Sequence, residues 1–145
     1  MKRLAVVLIA LTCLVSCAGA DQLTGDRRDV GVITEVFTAM PAQVQVGQPV
    51  QLRIRLSDNA GTEQKLTSPT AQIYDFWVRD AHREVWRWST GQVFTQDVTT
   101  TDLQAQTSQI FTQDWRPVKS GRFTVYGEIT ANGFEGPLKG TVTVQ

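Results

Sequence analysis

From Val30 onward, apolar and polar residues alternate with period two, and no segment sustains the spacing of an amphipathic helix. Val50, Leu52, Ile54 and Leu56 alternate with Gln51, Arg53, Arg55 and Ser57, which describes a strand with one apolar and one polar face. Ser57-Asp58-Asn59-Ala60-Gly61 then supplies turn chemistry. Phe123, Val125 and Ile129 alternate in the same way with Arg122, Thr124, Tyr126 and Glu128, and Gly127 falls on the apolar face. A glycine inside a strand marks the close approach of a large neighbour, here expected to be a tryptophan. Similar runs cover residues 30–38, 43–46, 50–57, 72–79, 84–88, 108–115, 122–131 and 139–145. About seven to eight short strands separated by turns predict an all-β fold, an immunoglobulin-like antiparallel β-sandwich, with a small barrel as the alternative. Phe94-Thr95-Gln96-Asp97 recurs as Phe111-Thr112-Gln113-Asp114, but nothing around the two copies matches, so no repeat architecture is assigned.

The N-terminus carries a different signal. Lys2 and Arg3 precede an apolar run from Leu4 to Val15, too short for a comfortable permanent span. Leu14-Val15-Ser16-Cys17 has the form of a bacterial lipobox, which predicts a signal peptide over 1–16 and lipidation at Cys17. Residues 17–29, small and polar, read as a flexible tether to a domain over 30–145. The expected location is the bacterial cell envelope, on a membrane lipid anchor. Cleavage would leave no second cysteine for a disulfide. It would also leave 12 of the 14 basic residues against 14 acidic ones. Such a balance predicts neither nucleic-acid binding nor a polybasic membrane patch, so attachment would rest on the acyl chains.

Three of the four tryptophans lie between Tyr74 and Gln96. Period two places Tyr74, Phe76 and Val78 on one strand face and Asp75, Trp77 and Arg79 on the other, with Asp75 and Arg79 expected in solvent. Asp80-Ala81-His82-Arg83 supplies a turn into a returning strand that holds Trp86 and Trp88. Tyr74, Phe76 and Trp88 are expected in the core, because a large aromatic buries roughly 150–250 Å². Trp77 is a candidate partner contact.

The segments YDFWVRD (74–80), EVWRWSTGQVFTQ (84–96), IFTQDW (110–115) and SGRFTVYGEITA (120–131) occur in the order found in the intracellular proteinase inhibitor family known as BsuPI. The chain resembles that family from about Val30 to its C-terminus, most specifically over 72–130. The resemblance implies an immunoglobulin-like domain whose founding member inhibits a subtilisin-type serine protease. It marks Tyr74, Phe76, Trp86, Trp88, Phe94, Trp115 and Gly127 as motif positions, read here as structural core. The chain departs from the founding member in lacking a glycine in the turn 80–83 and in carrying an export signal.

No nucleophile, metal or nucleotide motif occurs, and His82, the only histidine, falls in a turn. Asp58-Asn59-Ala60-Gly61 lacks the spaced carboxylates of a calcium loop. Asp97, Asp102 and Asp114 form a cluster only if the fold gathers them. The reading is therefore a non-enzyme with no cofactor and no metal. Its partner is a serine protease, met through a loop at 57–65, 89–92 or 132–137, or another envelope protein for which the domain is a binding or assembly module. Phe134, set between Asn132-Gly133 and Gly136-Pro137, either contacts that second kind of partner or folds back to cap the sandwich.

Overall fold

A computed structural model describes residues 22–145; the predicted signal peptide and Cys17 lie outside the described residues. The chain forms eleven strands, with no helix among the described residues: β1 (Thr24–Val30), β2 (Ile33–Met40), β3 (Gln43–Val44), β4 (Val50–Asp58), β5 (Gln64–Ser68), β6 (Tyr74–Arg79), β7 (Glu84–Arg87), β8 (Thr99–Leu103), β9 (Ser108–Trp115), β10 (Gly121–Ile129) and β11 (Leu138–Val144). One sheet has the order β1-β2-β4-β9, the other β3-β11-β10-β6-β7, and β5 pairs with β8 in a separate ribbon. All pairs are antiparallel except β3 with β11. Strands cross between the sheets along the chain, so this is an all-β sandwich with the crossed connections of an immunoglobulin-like fold.

The alternation in β4 is realised in full. Val50, Leu52, Ile54 and Leu56 are completely buried and meet Phe37, Phe76, Val78, Val125, Ile129 and Val142 in one core. Gly127 belongs to that core, but the expected neighbour is corrected. A Cβ there would lie 2.5 Å from the ring of Phe37 and 3.0 Å from Ile54, so a phenylalanine on the facing sheet requires the glycine, and not a tryptophan.

Three other expectations change. The tether placed over 17–29 gives way at Thr24, because Thr24–Val30 pairs along its whole length with Ile33–Ala39. Its sequence, TGDRRDV, hides the strand: the exposed edge carries charged side chains, which protect an edge from further pairing. The run 30–38 is split by a turn at Gly31, whose φ of 59° suits glycine. The ribbon strands β5 and β8, QKLTS and TTTDL, each bury one leucine, Leu66 and Leu103, too little for an alternating signal. Among the described residues, the paired strands and core side chains all fall between residues 24 and 144, so this segment holds a hydrophobic core of its own.

The sandwich has two ends. At one, the chain enters: the Gln22 carbonyl accepts from the Ala42 amide, Gly47 N–H donates to Pro117 O (2.8 Å), and Lys119 Nζ reaches Asp80 (2.8 Å). At the other lie the segments 59–63, 88–98, 104–107 and 130–137, tied by Asn132 N–H to Thr67 O (2.8 Å) and Ala71 N–H to Thr95 O (3.0 Å).

Candidate functional site

The recognisable sequence segments meet at the second end. Asp75 points outward from β6, yet it is only 3% exposed. The expectation that it is solvated is therefore corrected: Arg87 Nε and Ser89 Oγ each donate to Asp75 Oδ2 at 2.8 Å and fold over it, while Phe76 N–H donates to Oδ1 at 2.8 Å. Arg87 also pairs with Glu84 at 3.0 Å. One buried carboxylate thus fixes residues 87 and 89, where β7 ends. The turn beyond is closed by Thr90 N–H to Arg87 O, Gln92 N–H to Ser89 O and Gln92 Nε2 to Trp88 O.

On the inner side, an aromatic column continues from the core to this turn. Phe37 meets Phe76 (centroids 6.3 Å), Phe76 meets Tyr74 (5.5 Å), Tyr74 stacks on Trp88 (4.3 Å, 21°), and Trp88 meets Phe94 (5.8 Å). Phe111 flanks Tyr74 at 4.7 Å, and Gln113 donates to the Tyr74 hydroxyl at 3.1 Å. Phe76 and Trp115 are buried, whereas Tyr74, Trp86 and Trp88 are partly buried and pack at the margin of the core, and Phe94, also partly buried, packs on Trp88. Trp115 meets Phe123 edge-on at the entry end, with centroids 5.1 Å apart.

Between Gly91 and Val98 the chain has no regular structure. Two attachments hold it: the Phe94 ring against Trp88, and the Thr95 carbonyl accepting from Ala71. Val93 lies between the anchored turn and Phe94 and is 96% exposed. Only Ser89–Gln92 of this loop was anticipated. The missed part, Val93–Val98, carries only Asp97 as a turn-forming residue, and its exposure follows from the anchors on either side.

The remaining predicted positions are distributed elsewhere. Trp77 is half-buried on the outer face of its sheet, stacked on Tyr126 (5.2 Å, 8°) and covered by the Arg87 guanidinium (4.7 Å). Phe134 is 9% exposed and belongs to the core, with Arg28 6.0 Å above its ring. It folds back as a cap, so the reading of Phe134 as an exposed contact is corrected. The segment 57–65 is taken up at both ends by strands, and Asp58 is consumed internally: it accepts from Ala60 N–H (2.9 Å) and Gln106 N–H (3.1 Å). Asp102 pairs with Lys65 at 3.1 Å, and no group of three potential metal ligands occurs among the described residues. Asp80 accepts from Lys119 and from the amides of His82 and Arg83, which hold its carboxyl well below the usual carboxylate range.

The fold and the doubly anchored loop define a small β-sandwich domain with one short, exposed segment held at both ends. Residues 37–134 match the family described as BsuPI, intracellular proteinase inhibitor, and the chain belongs to that family. No curated protein matches it. Among solved structures it is similar to an alkylpurine DNA glycosylase of Pseudomonas fluorescens (16% identity, 74% of this chain and 28% of that one, TM-score 0.43). It is also similar to a CARDB domain from Pyrococcus furiosus (12%, 89% and 97%, TM-score 0.41) and a β-glucosidase from Erythrobacter marinus (9%, 86% and 16%, TM-score 0.45). The chain thus spans less than a third of the glycosylase and about a sixth of the glucosidase.

Proposed function

We propose that this chain is a lipid-anchored envelope protein that inhibits a subtilisin-type serine protease, without catalytic chemistry of its own, by presenting Gly91–Val98 to the protease cleft. Family membership supports the inhibitory role, and the lipobox ending at Cys17 supports the envelope location. The observation that carries the choice of loop is Val93, an almost fully exposed apolar residue held between two anchors. A protease cleft binds an extended segment. A segment fixed beforehand loses less conformational entropy on binding, and its ends cannot separate after attack. Asp75 supplies that fixation below Ser89, and Trp88 supplies it below Phe94.

The test is inhibition of a panel of subtilisin-like proteases by the purified protein at micromolar concentration. Val93→Asp is expected to weaken the inhibition constant at least tenfold while leaving the unfolding midpoint unchanged. Inhibition that is equal for wild type and Val93→Asp would move the contact to another loop, and no inhibition across the panel would remove the reading.

A further inference from the structure

The overall charge balance conceals a division between the two ends of the sandwich. The loop-end segments 59–63, 88–98, 104–107 and 130–137 contain Glu63, Asp97 and Glu135 and no lysine or arginine. At the entry end, the segments 80–83 and 116–120 contain Arg83, Arg116 and Lys119 against Asp80. Arg79 and Arg122 flank them on the outer sheet face, each beside the Thr124 position; Glu84 pairs across from Arg79, Asp26 and Lys139 lie by Thr124, and Asp114 precedes Trp115 at the end of β9. Lys119 is engaged by Asp80, but Arg79, Arg83, Arg116 and Arg122 make no ion pair among the described residues. Apolar groups accompany the cations. Val118 is 90% exposed, and beside it Val85, Trp86, Trp115 and Phe123 line a cavity of about 100 Å³ whose rim holds Arg116 and Lys119.

The chain enters the fold at this end, where Gln22 bonds to Ala42. Cys17 lies five residues earlier, a distance of at most about 18 Å even for a fully extended chain. We infer that the entry end is a docking face for an anionic lipid surface, with Arg79, Arg83, Arg116 and Arg122 at the headgroups and Val118 at their apolar boundary. Exposed cations near such a surface add to the hold of an anchor, and one exposed apolar side chain inserts at little cost. Docking in this orientation turns the Gly91–Val98 loop away from the membrane, towards a soluble protease. The identity of the membrane rests on the envelope reading above; the face itself does not.

Residues 22–145, without any lipid, are to be sedimented with vesicles of phosphatidylcholine alone and with vesicles containing phosphatidylglycerol. Binding is expected only to the second, falling as salt rises. Arg83→Gln/Arg116→Gln/Arg122→Gln should weaken it roughly a hundredfold, at about fivefold per cation. Arg53→Gln/Arg55→Gln, which removes two unpaired cations from the opposite sheet, should leave it nearly unchanged. Equal binding to both vesicle types, or equal loss in the two variants, would overturn the proposal. So would capture of a Glu-rich, leucine-containing peptide with a change in tryptophan fluorescence while vesicles stay unbound, since that result assigns the face to an acidic protein segment. Mass spectrometry of the full chain for a diacylglyceryl group on Cys17 tests the anchor separately, so failure of either idea is distinguishable from failure of the other.

Discussion

Asp75 and Glu35 are both carboxylates buried in a strand and paired with an arginine, but they are buried on opposite faces and satisfied to different degrees. Asp75 stands on the outer face and is covered by its own partners; all three of its hydrogen bonds come from groups in or beside the β6–β7 hairpin. Glu35 points inward between Ile33 and Phe37 and has no exposure. Its Oε2 accepts from Arg28 Nε at 2.6 Å, but its Oε1 and one Arg28 nitrogen, Nη2, have no partner. The remaining guanidinium nitrogen, Nη1, donates to the Glu135 carbonyl and so links β1 to the segment 130–137. A buried charge repays its desolvation only when its hydrogen-bonding capacity is used. The Asp75 network therefore fixes the neighbouring loop, whereas the Glu35 pair joins an edge strand at a net cost.

The largest expected effect separates the two directly. Asp75→Ala strips Arg87, Ser89 and the Phe76 amide of an acceptor at once and should cost about 3–4 kcal/mol in urea unfolding. In the inhibition assay it should act on the loop as strongly as a change at Val93, although Asp75 itself is buried. A loss below about 1 kcal/mol would show that the network is ornamental. The second effect is smaller and opposite in sign. Replacing the other pair together, Arg28→Met with Glu35→Leu, should be neutral or stabilising by about 1–2 kcal/mol, because two partly unsatisfied charges give way to apolar groups of similar length. The same exchange at Asp75 and Arg87 should destabilise, since Ser89 and the Phe76 amide remain without their acceptor. If both double replacements behave alike, the distinction drawn from their hydrogen bonds fails.

The contrast also explains which parts were legible in the sequence. Alternation gave β4 and β10 nearly to the residue, because one face of each is apolar and the other polar, whereas β9 turns Gln109 and Gln113 inward beside Phe111 and Trp115. The same rule placed Asp75 on the outer face correctly and its environment wrongly: period two reports direction, and burial there depends on Arg87 and Ser89, twelve and fourteen residues away. Glu35 shares parity with Ile33 and Phe37, and so does its pairing residue Arg28 with Val30. The ion pair was therefore implicit in the register of β1 and β2, but β1 was hidden among charged residues. The loop Gly91–Val98 was half legible for a related reason. Its anchor Phe94 was recognised as a motif position, while the exposure of Val93 depends on the aromatic column assembled from β6 and β7.

The smallest expected effect is a pH dependence confined to Glu35. Burial raises its pKa above the ordinary 4.5, opposed by Arg28. Between 4.5 and the raised folded value, the folded state holds a proton that the unfolded state has released. Stability attributable to this group is therefore greatest below 4.5, declines as pH rises through that window, and is fully lost above the folded value. Glu35→Gln cannot release the proton, so the stability of the variant relative to wild type should increase with pH across the window. One proton limits the slope of that difference to about 1.4 kcal/mol per pH unit. Glu128 is also raised, chiefly by burial, and its charge adds to the rise at Glu35, so the difference reports Glu35 together with that coupling. Urea unfolding of wild type and Glu35→Gln from pH 4 to 8 measures the difference, and parallel profiles would mean that burial does not penalise the Glu35 carboxylate.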